Sequence, residues 1–222
     1  MIKISDTEYF SNDRTIRFLN MDCNEFMKRL KDNEFDLNLS DPPYGIDASN
    51  QTMGTGKNRP YKTKDKTWDK LKPSRECFDN IRKTSKNQVI FGGNYFELPL
   101  IKGWIIWDKM LNKEVSFADG EMAWNSFDKP LRIIKHQYSG FIGADPDCRI
   151  HETQKPIDLY RKLLTLYTKE TDSILDCFGG SMSHAIAAHM ERRNLTIIEL
   201  DKDYFKRALE RFRIYESQLT LF

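Results

Sequence analysis

At 222 residues, with 39% hydrophobic and 31% charged content, the chain has the length of one α/β domain and can bury a core without disulfide staples. No apolar run approaches the roughly 20 residues of a membrane span, the opening MIKISDTEYF lacks a secretory h-region, and Cys23, Cys77, Cys148 and Cys177 form no CxxC pair; a cytoplasmic protein with reduced thiols and no metal is therefore expected. The net charge of +2 hides an asymmetry, because residues 47–72 carry +4 and the remainder −2.

In chain order, residues 16–19 read as a strand, and a helix over 23–30 follows with Phe26, Met27 and Leu30 on one face. Phe35, Leu37 and Leu39 then alternate with Asp36, Asn38 and Ser40, the period of two that marks a short strand. This strand runs into Asp41-Pro42-Pro43-Tyr44-Gly45, where the prolines end it because they offer no N–H to a ladder. A carboxylate, two prolines and an aromatic ring thus stand at a strand's C-terminal end, where open α/β sheets gather their ligands. The basic segment 46–72, with Lys57, Arg59, Lys62, Lys64 and Lys66, leaves directly from that turn, and its MGTGKNRP run has no apolar period. It reads as a loop, and its charge beside the turn points to a polyanion held over it.

A helix over 74–83 leads into a strand at 88–91 closed by Gly92-Gly93. The run 103–107 is apolar throughout and is expected to be a strand buried on both faces. Residues 121–125 and 131–138 read as two further strands, and 157–167 as a helix with apolar positions 159, 160, 163, 164 and 167. A strand at 173–176, a helix at 183–191, a strand at 195–199 and a last helix at 204–215 complete the chain. This alternation predicts an α/β fold, a mostly parallel central sheet with helices on both faces, in a single domain over 1–222. Residues 110–150 have room, beyond their two strands, only for a small additional segment. His184 and His189 are expected on a helix surface, and Cys148 with His151 is spaced like half a metal site without a second half.

The second informative stretch is Ile174-Leu175-Asp176-Cys177-Phe178-Gly179-Gly180-Ser181-Met182-Ser183. A strand ends in an acid, glycines follow, and Ser183 is placed to cap a helix. Glycines there let bare backbone approach a ligand. The next strand ends in Glu199, an acid at the position that accepts hydrogen bonds from ribose hydroxyls. With no GxGxxG and no GxxxxGK[ST] to cradle phosphates, a nucleoside without phosphates fits better.

DPPY, FGGNYF, WDK, HETQKP, DCFGGS and IIELDKDYF, taken in that order, resemble the β-type amino-methyltransferases of DNA, whose catalytic motif precedes the cofactor motif. The resemblance covers most of the chain and implies a Rossmann-like methyltransferase fold. It also implies S-adenosylmethionine as cofactor and methyl transfer to a flipped-out base in double-stranded DNA, at adenine N6 or, as the alternative, cytosine N4. A non-catalytic DNA-binding subunit of the same fold is a further alternative.

By the same resemblance Asp41, Pro42, Pro43 and Tyr44 are catalytic. Asp22, Thr153, Gln154, Lys155, Asp176, Phe178, Gly179, Gly180, Ser181 and Glu199 hold the cofactor, with Lys155 toward its methionine carboxylate. Asp22 is equally readable as the cap of the helix at 23. Lys57, Arg59, Lys62, Lys64 and Lys66 would contact DNA. A homodimer and a cognate restriction endonuclease are left open as partners. The family usually reads DPFxGSGT where this chain has DCFGGSMS, so Cys177 and Met182 depart from it, and the tryptophan of WDK is expected in the core.

Overall fold

The computed structural model describes residues 1–46, 69–70, 72–111, 118–137, 150–151 and 153–219. The amino-terminal strands are β1 (Ile2–Lys3), β2 (Glu8–Phe10) and β3 (Ile16–Leu19), followed by helix α1 (Cys23–Met27) and β4 (Phe35–Ser40). Helix α2 (Arg75–Thr84) runs straight into β5 (Ser85–Phe91), and a 3₁₀ turn (Gly93–Tyr95) precedes β6 (Trp104–Asp108), β7 (Gly120–Asn125) and β8 (Arg132–Lys135). The carboxy-terminal third is α3 (Ile157–Tyr167), β9 (Ser173–Asp176), α4 (Ser183–Met190), β10 (Asn194–Ile198) and α5 (Lys202–Leu219).

The strands join one sheet in the order β1-β2-β3-β10-β9-β4-β5-β7-β6-β8. Its centre, β3-β10-β9-β4-β5, is parallel throughout, while β1-β2-β3 and β5-β7-β6 are antiparallel. Alternation within the central strands divides the core. Ile16, Phe18, Leu37, Leu39, Val89, Ile174 and Ile197 face α3, α4 and α5, whereas Leu19, Ile90, Leu175 and Ile198 face α1 and α2. Each such fully buried aliphatic or aromatic side chain contributes roughly 1.5–3 kcal/mol, so the two layers hold the parallel centre rigid from both sides.

Three local expectations change. The strand at β6 is not buried on both faces: Ile105 and Trp107 are buried, but Trp104 and Ile106 are only half-buried. It lies between β7 and β8 toward one end of the sheet, where helical cover is incomplete. The first helix stops at Met27 rather than 30. Ser183 is not the cap of α4. That place belongs to Met182, in left-handed backbone at φ 56°, and the Ser183 hydroxyl instead lies 3.1 Å from that of Ser181 and accepts from Arg211. The two antiparallel strands before β3 were not legible, being two and three residues long.

Candidate active site

Strands β4 and β9 pair in parallel, with Leu37 opposite Ile174 and Asn38 opposite Leu175. Their C-terminal ends therefore lie side by side, at the point where the chain runs outward in one direction through β10 and β3 and in the other through β5. The Cys177 N–H donates to the Ser40 hydroxyl at 3.0 Å across 137 residues of sequence. A proline here could not make that bond, which gives Cys177 a physical reason. Above this junction opens a cavity of about 1230 Å³ lined by both motifs: Asp41, Pro42, Pro43 and Tyr44 from one, Phe178, Gly179, Gly180, Ser181 and Glu199 from the other. Single-ligand clefts span roughly 300–1,000 Å³, so this one has room for two reactants side by side.

On the β4 side, the carboxylate of Asp41 meets the ammonium of Lys155 through Oδ2 and accepts from the Tyr44 hydroxyl through Oδ1 at 2.9 Å. Lys155 Nζ also reaches Glu121 Oε2 at 3.1 Å and the Tyr44 hydroxyl at 3.2 Å, and it sits 4.6 Å from the centre of the Phe91 ring. Glu121, on β7, takes Lys109 Nζ on its other oxygen at 2.8 Å. Burial raises the Asp41 carboxyl above the usual carboxylate range and Glu121 adds to the rise, while Lys155 opposes it. Burial would raise Glu121 too, but the ammonium groups of Lys155 and Lys109 overrule it and hold its carboxyl at about 2. The phenol of Tyr44 is pushed well up by burial and by the two carboxylates. Its ring stacks on Tyr95 at 5.0 Å and 14°, and it packs over Gly92, where a Cβ would lie 2.2 Å from a ring carbon. Only glycine admits the ring there, which explains Gly92.

On the β9 side, the Gly179 N–H donates to the Ile198 carbonyl at 2.7 Å and pins the loop to β10, and Gly180 turns at φ +49°. Glu199 accepts from the Gly180 N–H and the Asp201 N–H, each at 2.7 Å. Burial pushes its carboxyl up to about 7 against those two donors. Asp22 caps α1 by accepting from the Asn24 and Glu25 N–H groups, one of its two sequence readings, and it also lines the cavity. Asp176 is not among the lining residues. Its oxygens accept from the Phe178 N–H at 2.9 Å and lie 2.9 Å from Nδ1 of His184, so it shapes the loop from beneath.

His184 is therefore not on a surface, contrary to expectation. It is buried and stacked on Tyr160 at 4.8 Å, because α4 is apolar nearly all round. His189 is half-buried against Phe212, with Asp13 at 3.3 Å. Thr153, Gln154 and Lys155 all line the cavity, with the Thr153 hydroxyl 3.2 Å from His151 Nδ1 and the Gln154 side chain accepting from the Ile150 N–H. Lys155, expected toward a ligand carboxylate, is held between Asp41 and Glu121. The Glu199 carboxylate and the Phe178 ring, beside a glycine loop that adds no side chain of its own, form an acceptor and stacking set that fits a nucleoside-bearing cofactor.

Sequence reading missed Glu121, Lys109, Tyr95 and His151, which all line the same cavity. The available signal was an acid inside the apolar strand Glu121-Met122-Ala123-Trp124 and the lysine of WDK. Trp107 of that motif is core, as expected. Lys57, Arg59, Lys62, Lys64 and Lys66 lie outside the described residues, as does Cys148.

The family model described as DNA methylase, of the N6/N4 methyltransferase type, matches residues 106–210. The type II methyltransferase M2.MboI of Moraxella bovis is 25% identical over 254 residues, covering 92% of this chain and 90% of that protein. Among solved structures, the M1.HpyAVI–SAM complex superposes with a TM-score of 0.56 at 23% identity, covering 86% of this chain and 96% of that one. The cytosine-N4-specific PvuII DNA methyltransferase superposes with a TM-score of 0.57 at 15% identity, covering 90% and 88%. Both share the fold.

Proposed function

On the premise that this chain is a β-type DNA amino-methyltransferase, which the family match, the near-full-length relative and the shared fold support, we propose that it methylates adenine N6 in double-stranded DNA with S-adenosylmethionine as donor. The observation that carries the reading is one cavity holding the Asp41-Pro42-Pro43-Tyr44 turn and the Phe178–Ser181 loop with Glu199. When bound, S-adenosylmethionine supplies a methyl already activated on a sulfonium. The chain's own residues bind and align. Glu199 takes the ribose hydroxyls, the Gly179–Ser181 backbone and Phe178 wrap the nucleoside, Asp22 lies toward the adenine, and Thr153 and Gln154 lie toward the methionine end.

An exocyclic amine is a poor nucleophile because its lone pair is delocalised into the ring. One N–H given to the Asp41 carboxylate and one to the Pro42 carbonyl favour a pyramidal nitrogen with its lone pair exposed, and proline presents that carbonyl rigidly. Tyr44 offers the base a stacking partner once it has left the duplex. Alignment of this kind lowers a barrier by roughly 7–11 kcal/mol in favourable cases. Phosphate contacts fall to Lys57, Arg59, Lys62, Lys64 and Lys66, the basic run that follows the turn in sequence. The type II name of the relative M2.MboI supports a cognate restriction endonuclease as partner.

Adenine is favoured over cytosine because the first residue of the tetrad is a full carboxylate. Asp-Pro-Pro-Tyr goes mostly with adenine in the resembling family and Ser-Pro-Pro-Tyr mostly with cytosine, and a charged acceptor pulls harder on the proton that must leave after methylation. N4-cytosine is the second reading, favoured by the fold shared with a cytosine-N4-specific enzyme. Nucleoside mass spectrometry of DNA treated with the purified protein decides: N6-methyladenine is expected, and N4-methylcytosine as main product overturns the base assignment alone.

A further inference from the structure

The proposed chemistry gives Glu121 no role, although it is a half-buried carboxylate lining the cavity from β7. Its surroundings form a closed set of two cations and two carboxylates. Lys155 has three N–H donors, and all three are taken, by Asp41 Oδ2, Glu121 Oε2 and the Tyr44 hydroxyl. Lys109 holds the second Glu121 oxygen at 2.8 Å. Tyr44 has one proton and two carboxylates in reach, Asp41 at 2.9 Å and Glu121 at 3.2 Å, and the shorter contact is to Asp41. The ladder fixes this arrangement, since Glu121 stands opposite Trp107 in the antiparallel pairing of β6 with β7, two residues before Lys109.

From this geometry we infer that Glu121 is a positioning residue that keeps Lys155 shared between two carboxylates, so that Asp41 is not neutralised by the lysine and stays a strong acceptor for the target amine. The inference rests on the proposed function for the word "amine", but the electrostatics do not. Lys155 lies 4% exposed and Asp41 16% exposed at their side chains, so the pair interacts in a poorly screened interior. If Glu121 were uncharged, Lys155 would have a single anionic partner, and Asp41 would lose both the neighbouring negative charge and half of its competition for the lysine. Both changes act in one direction and make Asp41 a weaker base. Lys109 works in the opposite sense: it draws on Glu121 and adds positive charge, so its loss leaves Asp41 more basic. The groups facing Asp41 are thus Lys155 ahead of α3, Glu121 from β7, Tyr44 from its own turn and Tyr160 from α3, with Lys109 behind Glu121.

The test is the titration of the Asp41 carboxyl carbon by NMR in protein labelled with carbon-13 at aspartate, assigned with Asp41→Asn, in the ligand-free chain. Glu121→Gln is expected to move the midpoint down by about one pH unit and Lys109→Met to move it up, the range that one charge a few ångströms away produces. In the transfer assay the acid limb of kcat should follow the same two directions, with KM for DNA and donor within about threefold, and Glu121→Asp should return the limb toward wild type. A shift of one unit is a tenfold change in the ionised fraction below the midpoint. An unmoved midpoint in both variants, or movement in the same direction, overturns the inference. Should Glu121→Gln fail to fold, the direction in Lys109→Met decides. Wild-type protein that transfers no methyl to DNA amines while the midpoints shift as expected overturns the proposed function and leaves the electrostatic role of Glu121 standing.

Discussion

At the scale of single residues, the two acids that the proposed mechanism uses differ through their neighbours. Asp41 is half-buried with an ammonium against it, whereas half-buried Glu199 accepts from two backbone N–H groups, and desolvation pushes its carboxyl up to about 7. The sign of the consequence follows directly. In the proposed binding mode ribose hydroxyls donate to the ionised carboxylate, so cofactor binding would favour loss of that proton, and affinity is expected to fall as pH drops below about 7, by up to tenfold per unit. Calorimetric titration of S-adenosylmethionine from pH 5.5 to 8.5 should show this slope, and Glu199→Gln should bind weakly with the slope gone. Asp41→Ala is expected to cost roughly 10²–10³ in transfer rate. Fold and cofactor binding should survive, because Lys155 keeps Glu121 as an anionic partner. Single-turnover rates with parallel calorimetry separate the two effects, and wild-type turnover would sink the role given to Asp41.

At the scale of elements, the turn into α4 shows how a departure from a family pattern is accommodated. Met182 stands where glycine is usual and adopts the left-handed backbone that glycine adopts without cost, at φ 56°. That conformation costs an ordinary residue roughly 1–2 kcal/mol. Its side chain, however, is fully buried in the cluster beneath α3 and α4, and truncating a buried methionine costs roughly 2–5 kcal/mol. Burial wins. Met182→Gly is therefore expected to lower unfolding free energy by about 1–3 kcal/mol even though it restores the family residue, as urea denaturation would measure. A gain in stability would mean that strain outweighs packing here.

At the scale of the whole molecule, the proposed catalysis depends on two loops that are far apart in sequence and line one cavity, and on a basic segment that follows one of them in sequence. If residues 57–66 hold phosphates, neutralising Lys62, Lys64 and Lys66 should weaken DNA binding and reduce the slope of log affinity against log salt by about 0.9 per lost contact, with cofactor affinity unchanged. Fluorescence anisotropy across a salt series checks this, and an unchanged slope removes the segment from the interface. Much of the rest was legible locally. Hydrophobic period, proline and glycine breaks and the acids at the ends of β4, β9 and β10 are set by neighbours a few residues away, so the central strands, both cavity-lining loops and the acids Asp41 and Glu199 could be read locally. The pairing of β4 with β9, the insertion of β7 beside β5 that brings Glu121 to the cavity, and the placing of Lys155 between two carboxylates emerge only in the assembled fold. Those outcomes come from strand order and from the burial of charges against one another, and both depend on contacts between residues that no local pattern relates.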